Sequence, residues 1–438
     1  MPIVIIGAGA AGLAAASKLS RAGRDVIVLE ARDRIGGRVY TQTNASSNRS
    51  VPIELGAEFV HGRTQEIFRL TNEHNLTLCD VAERHWYFDE GKLSETGEFW
   101  KNVRKLMDGM KKMPHDCSFQ EFLNSLPNDR ETERAKEMAS RYVEGFHAAE
   151  TSRIGIRGLS KANEAADEID GDTSFRILDG YSELMHSLRR EAEVRKCVFE
   201  LKTIVEEIHW AKSHIEVIAQ TPKGKRTFVG TACLVTLPLG VLQSRGQVRF
   251  VPELPRTKQN AIDHLVMGDV VKITLRFRDR FWERLEVVIG HQKEDFFDLG
   301  FIHYPDAPLP TWWTYLPVRA PVMVGWAGGA QTPRIKGDLV IQALESLASI
   351  FNTSVKKISD ELEASFTHDW NGDPFSRGAY SYVPVDGLES QRVLVAPVEE
   401  TLFFAGEATS IGHIGTVHGA IHSGERAAED ILESSVQG

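Results

Sequence analysis

The 438-residue sequence predicts an α/β fold whose parallel sheet starts at the N-terminus, and three observations carry that expectation. Ile3 to Ile6 is a short, continuously apolar run, the pattern of a strand buried on both faces. It leads into Gly7-Ala8-Gly9-Ala10-Ala11-Gly12 and an alanine-rich stretch, Leu13 to Arg21, that reads as helix with Gly23 as its stop. Asp25 to Leu29 then gives a second strand ending on Glu30, which completes a βαβ unit.

Composition sets the frame for that unit. Apolar residues make up 42% of the chain and charged residues 26%, the balance of a globular protein long enough for two or three domains. The net charge of −10 speaks against nucleic acid or an anionic membrane as partner and would draw in a cationic ligand, although surplus carboxylates also serve plain solubility. Cys79, Cys117, Cys197 and Cys233 are too widely spread for a metal-ligand or redox-pair spacing, so buried, reduced thiols and no metal are expected. No run of 18 apolar residues occurs, Met1 to Ile6 lacks the basic start of a leader, and Ser434 to Gly438 carries no anchor. The expectation is a cytoplasmic protein without a membrane partner. The glycosylation-type triplets at Asn44, Asn48, Asn75 and Asn352 carry no weight there.

Each glycine of the first turn has a task in a dinucleotide site of Rossmann type. Gly7 allows the tight turn, Gly9 lets the backbone approach a pyrophosphate, and Gly12 lets helix and strand pack closely. The helix N-terminus offers amide groups to the phosphates, and Glu30 is placed to accept from a ribose. Gly36-Gly37-Arg38 permits a second backbone turn against the phosphates with a cation beside it; Arg32 is the next candidate, and Arg34 reads as solvated. The glycine motif alone does not separate NAD from FAD. The segment Ala31 to Arg38 resembles the one that follows the ribose-binding acid in the flavin amine oxidase superfamily, which implies FAD. No second nucleotide fingerprint appears, so electrons are expected to come from the substrate and leave to oxygen or another acceptor.

Four further segments extend the resemblance over nearly the whole chain. They are ELGAEFVHG from Glu54, MGDVVKITLRF from Met267, WNGDPFSRGAYSYV from Trp370, and LFFAGEATSIGHIGTVHGAIHSGERAAEDIL from Leu402. In order, they resemble the polyamine oxidase and lysine-specific histone demethylase branch of the flavin amine oxidases. The resemblance implies a Rossmann-type FAD-binding domain from residues 1–80, 195–250 and 395–438, interleaved with an α+β substrate-binding domain from 81–194 and 251–394. The residues themselves add strand-like runs at Leu201–Val205, Ile215–Ala219, Ala232–Thr236 and Leu402–Ala405. Lys101–Lys112 and Arg130–Phe146 read as amphipathic helices.

The site residues follow from these segments. A helix should begin between Gly415 and Gly419, where Val417 and His418 would turn backbone amides, and the positive end of the dipole, toward the flavin ring. By resemblance Gly406 and Glu407 meet the ribityl and phosphate region, Glu407 having the alternative of an ordinary N-cap carboxylate. The backbone of Val205 would meet the adenine, or Val205 is a plain strand residue; Trp370 would form the pocket floor beside the cofactor, or core. Lys272 stands among apolar strand residues, where a lysine is costly unless paired or functional. It matches the lysine that in this family holds a water at flavin N5 and assists reoxidation by oxygen. Tyr380 matches a tyrosine of the aromatic sandwich that steers the amine, and Thr416 stands where monoamine oxidases carry the second one. Ala379 replaces their flavin-bonded cysteine, which implies noncovalent FAD. His61 matches a histidine whose neutral imidazole accepts from a substrate ammonium. Neither spacing nor resemblance gives Glu54 or Glu58 a role, and Phe146 to Glu150 either faces substrate or, the preferred reading, is a core or surface helix end.

The expected activity is FAD-dependent oxidation of a polyamine-like amine to an imine and aldehyde, with oxygen as acceptor and hydrogen peroxide as product. Phe59 falls where amino-acid oxidases carry the arginine for a substrate carboxylate, which counts against an amino acid. The long helical insertion and added N-terminal domain of the histone demethylases find no counterpart, so chromatin is not the expected target. Two rivals stay open: an oxidase or desaturase acting on carbon–carbon or ring carbon–hydrogen bonds, and a flavin-binding protein whose activity has lapsed. The substrate, its distal contacts (Glu144, Glu164 and Asp167 have no motif to choose among them) and the oligomeric state are not readable.

Overall fold

The structure, a computed structural model, describes residues 1–43, 51–81, 84–89, 92–95, 99–289 and 292–434; Asn44, Asn48 and the last four residues lie outside them. The opening unit forms as its apolar pattern requires: β1 (Ile3–Ile6), α1 (Ala10–Arg21) and β2 (Val26–Leu29). Further along come β3 (Val60–His61), α2 (Arg130–Phe146), β4 (Ser174–Ile177), α3 (Tyr181–Val194), β5 (Val198–Glu200), β6 (Ile204–Ala211) and β7 (Ala232–Val235). Then follow β8 (Val270–Phe277), β9 (Tyr380–Tyr382), β10 (Leu402–Phe404) and α4 (Val417–Ser434).

A five-stranded parallel sheet has the order β5-β2-β1-β7-β10. Its register aligns Ile6 with Leu29 and Val235, and Val235 with Phe404. Gly7, Glu30 and Gly406 therefore leave the sheet at one carboxyl edge, the edge where open α/β sheets bind ligands. The helices α1 and α4 press together because their contact is small: a Cβ on Gly424 would stand 2.1 Å from the Ala11 carbonyl oxygen. A four-stranded sheet through β6 lies beside this one, and a seven-stranded mixed sheet holds β8 between Leu362–Thr367 and Val322–Gly328. Pairing of β9 with Val266–Gly268 puts Tyr380 opposite Gly268.

Some boundaries move. The expected division at 194/195 does not follow the packing: β4 pairs with β3 and with Leu78–Asp80. Phe175, Tyr181, Leu184 and Leu188 share a core with Ile3 and Leu13. The apolar face of α3 covers the flank of α1, so residues 174–194 pack with the nucleotide unit. The strand expected at Leu201 starts at Ile204, and the helix expected to reach Lys112 gives way at Gly109 to a 3₁₀ turn. Of the four cysteines, all unpaired, only Cys197 and Cys233 are buried.

Candidate active site

A cavity of about 760 Å³ runs from the carboxyl edge of the parallel sheet into the space under the seven-stranded sheet. Gly7, Gly9, Glu30, Arg32, Gly37 and Arg38 line one end, with Val205, Gly406 and Glu407. Lys272, Tyr380, His61, Trp370, Thr416 and Val417 line the same cavity. All but one of the expected site residues thus meet in one space; the exception, Gly12, stands behind it.

The nucleotide end has the features a dinucleotide needs. A Cβ on Gly12 would lie 2.0 Å from the Gly7 carbonyl oxygen, so only glycine lets α1 begin this close to the turn. A Cβ on Gly9 would meet nothing within 4 Å and would project into open space where a phosphate must approach. The Glu30 carboxylate accepts the amides of Ala8 at 2.7 Å and Arg32 at 2.8 Å, which fixes both oxygens at the end of β2. The Arg32 guanidinium is held in turn by Asp373 through two bonds of 2.7 and 2.9 Å and by Ser376. Arg34 lies over the Tyr40 ring and donates to the Gly37 carbonyl, so it braces the second turn.

Glu407 is not an N-cap carboxylate. One oxygen accepts from Arg38 at 2.9 Å; the other accepts from the Ser381 hydroxyl at 2.6 Å and the Gly415 amide at 3.1 Å. It ties three distant segments around the middle of the cavity. Thr416 holds the cap that Glu407 lacks: its hydroxyl accepts the Gly419 amide at 3.0 Å and donates to the His413 carbonyl. That commitment makes it the start of α4. Val417 opens that helix, and His418, buried beside His413, is pushed down to about 3 by desolvation and by its neighbour imidazoles. Trp370 is buried and donates to the Leu55 carbonyl at 3.0 Å.

At the other end, the Tyr380 hydroxyl donates to the Phe146 carbonyl at 2.8 Å, and burial raises its ionisation well above the usual range. The Phe146 ring is 46% exposed within the cavity wall and meets the His61 ring edge-on at 5.3 Å. The end of α2 is therefore a cavity wall, where a core or surface helix end was expected. Burial lowers His61 to about 4, so its imidazole is neutral. Lys272 is buried, with Nζ 2.6 Å from Glu58 Oε2 and donating to the Gly56 carbonyl at 3.1 Å.

Glu58 is the residue that sequence reasoning left without a role. Its other oxygen accepts from Arg176 at 2.5 Å and from the Trp313 indole at 2.9 Å. Desolvation pushes its carboxyl up, but Lys272 and Arg176 outweigh that and hold it at about 2. Glu54, equally buried, accepts the Tyr181 amide and the Thr41 hydroxyl, and burial lifts it to about 7. Arg176 packs on the Tyr315 and Phe59 rings and is absent from the cavity lining. Its signal was available, since a lone arginine in the apolar strand SFRI poses the same question as a lone lysine in VVKITLRF.

Residues 10–432 match the family described as flavin containing amine oxidoreductase. The chain belongs to that family. Among its relatives, "Lysine-specific histone demethylase 1 homolog 2" of Arabidopsis thaliana is 31% identical, over 98% of this chain and 58% of the relative. "Polyamine oxidase 3" of Oryza sativa subsp. japonica is 27% identical, over 98% of this chain and 88% of its own length. The chain thus spans little more than half of the first of these relatives. Among solved structures, a putrescine oxidase bound to putrescine superposes with TM-score 0.81 at 19% identity, covering 99% of both chains. The cyclohexylamine oxidase of Brevibacterium oxydans IH-35A gives the same score and identity over 100% of this chain and 99% of its own. The flavin amine oxidase fold expected from the sequence is the one observed, and the glycine turns, Glu30 and the open cradle fit FAD.

Proposed function

We propose that the protein oxidises a polyamine-like amine to an imine that water hydrolyses to an aldehyde, with noncovalently held FAD and with oxygen reduced to hydrogen peroxide. The observation that carries this reading is the single cavity in which the nucleotide cradle opens onto Lys272, Tyr380 and His61. When bound, the flavin supplies the acceptor for the hydride equivalent from the carbon beside the amine nitrogen. Gly7, Gly9, Gly12, Glu30, Gly37 and Arg38 would hold its dinucleotide half, with Arg32 steadying that turn from behind Asp373. Val205, Trp370, Gly406, Glu407 and Val417 would line the rest.

The residues of the chain have the remaining tasks: to bind, orient, desolvate and take a proton. A cationic amine must lose a proton before its carbon can give up a hydride equivalent. His61 is neutral through burial, and in the tautomer whose Nδ1–H donates to the Ser174 hydroxyl at 3.4 Å its Nε2 accepts a hydrogen bond from the ammonium. Tyr380, locked by its bond to the Phe146 carbonyl, gives the amine a fixed aromatic face. Lys272 holds a positive charge in the cavity wall, where it would favour the electron transfer to oxygen. Arg176 is engaged by Glu58 and is absent from the cavity lining, and Phe59 presents a ring, so neither position offers a cation to a substrate carboxylate. Among the described residues no cysteine lines the cavity, which supports noncovalent flavin.

We further propose a cytoplasmic location for the enzyme and, in keeping with the net charge of −10, free amine rather than chromatin or nucleic acid as its partner. No described helix is long and apolar enough to cross a membrane. The test is anaerobic mixing of the yellow holoprotein with diamines, polyamines, acetylated polyamines and a methylated-lysine peptide. Bleaching by a polyamine supports the reading. Bleaching by the peptide alone redirects it to protein substrates, and no bleaching by any amine refutes it.

A further inference from the structure

Lys272 does not stand alone in the cavity wall. Its Nζ lies 2.6 Å from Glu58 Oε2, and both side chains are almost wholly buried, 4% and 3% exposed. An ammonium has three N–H donors. One is taken by the Gly56 carbonyl at 3.1 Å; Glu58 Oε2 stands beside Nζ as its counter-ion without hydrogen-bond geometry, and among the described residues nothing else accepts from Nζ, which leaves an N–H for the cavity that Lys272 lines. Glu58 is fixed from its other side by Arg176 at 2.5 Å and Trp313 at 2.9 Å, so the carboxylate cannot turn away.

We propose that Glu58 is a positioning residue that keeps Lys272 charged and aims its free N–H into the cavity. This rests on the reading of Lys272 as the residue that assists reoxidation. The geometry supplies what such a lysine lacks by itself. A long, flexible side chain buried in a strand would shed its proton or swing aside unless a carboxylate anchored it. The groups facing the pair are Glu54 from the same segment, Arg176 from β4 and Tyr315 from beyond the strand Thr311–Thr314. Of these, Arg176 is bound to Glu58 itself, Glu54 is held by the Tyr181 amide and Thr41, and the Tyr315 hydroxyl donates to the Pro52 carbonyl. None of them replaces Glu58 at Lys272. Each oxygen of Glu58 meets a different cation, and an amide has only one acceptor to offer two of them.

The experiment needs no amine. The holoproteins of wild type, Glu58→Gln and Lys272→Met are photoreduced anaerobically and mixed with oxygenated buffer across a range of pH, and the return of the yellow colour is timed. Reoxidation takes two electrons and two protons per oxygen to give hydrogen peroxide, and the recovered peroxide is measured to close that balance. Lys272→Met is expected to be slow throughout. Glu58→Gln is expected to keep near-normal reoxidation at about pH 6 and to lose about tenfold by about pH 9, because a buried ammonium without its counter-ion gives up its proton earlier. A wild-type profile in Glu58→Gln together with a slow Lys272→Met overturns the proposal and leaves the lysine reading intact. A wild-type rate in Lys272→Met overturns both, and the separate amine panel decides the amine reading independently. If Glu58→Gln does not take up flavin, Glu58→Asp carries the test, since it keeps the charge with a shorter reach. Its alkaline loss must then begin below that of wild type, and an unchanged profile overturns the proposal. A purely structural Glu58 would lower flavin content and slow reoxidation equally at every pH, which also overturns it.

Discussion

Glu54→Gln should stabilise this protein, by an amount that grows as pH rises from about 5 to about 7 and then levels off. Folded, Glu54 keeps its proton to about 7 because burial penalises its charge more than the Tyr181 amide and Thr41 hydroxyl favour it; the ordinary value is 4.5. Between those two values the folded state binds a proton that the unfolded chain has released, so stability from this group falls as pH rises through that window and stays lost above it. From about pH 5 to about pH 8 the loss comes to roughly 2.5 kcal/mol, taking 1.36 kcal/mol per pH unit. Glutamine removes the titration while keeping the shape. Its oxygen can accept the Tyr181 amide, and its NH₂ can donate to the Thr41 oxygen that Glu54 now accepts from. The assay is urea unfolding of both proteins at saturating FAD over that pH range, every other titrating group being common to the pair. The variant should match wild type to within about 1 kcal/mol at the acid end and exceed it by about 2–3 kcal/mol at the alkaline end. A stability difference that does not change with pH would refute the reasoning.

Lys272→Met should slow flavin reoxidation by roughly 10²–10³-fold, the scale of losing one preorganised charge, with reduction by amine much less affected; stopped-flow measurement of the two half-reactions separates them. Gly12→Ala puts a Cβ 2.0 Å from the Gly7 oxygen, so α1 must retreat from the turn, and the purified protein should carry little flavin by its absorbance ratio. Tyr380→Phe loses one hydrogen bond, about 1 kcal/mol, and should keep most activity; Tyr380→Ala removes the aromatic wall and should raise KM far more. His61 is neutral down to about 4, so His61→Ala should raise KM while leaving any acid limb above about pH 5 in place; loss of that limb would show that His61 titrates there.

The parts that were legible in the sequence are those whose chemistry is local. The turn from Gly7 to Gly12, the apolar runs of β1 and β2, and α2 from Arg130 to Phe146 are dictated by neighbours within a few residues, and they form as read. Thr416 shows the opposite case. Its place in the chain invited comparison with a substrate-facing tyrosine, but a hydroxyl one residue before a helix is drawn to cap it. The segment from Phe146 leaves a substrate-facing wall and a plain helix end both open, because nothing in it reveals that Tyr380, 234 residues away, donates to the Phe146 carbonyl.

By itself the sequence determined a dinucleotide cradle, its acid and the strand-borne lysine, because glycine conformational freedom, strand periodicity and the cost of burying a charge are properties of short segments. Only the tertiary structure decided what that lysine meets. Glu58, Arg176, Trp313 and Lys272 come from four separate stretches and become one charge cluster when the sheets close over them. Pairing a buried charge is a demand the sequence states plainly, but which partner satisfies it depends on long-range packing that no segment encodes alone.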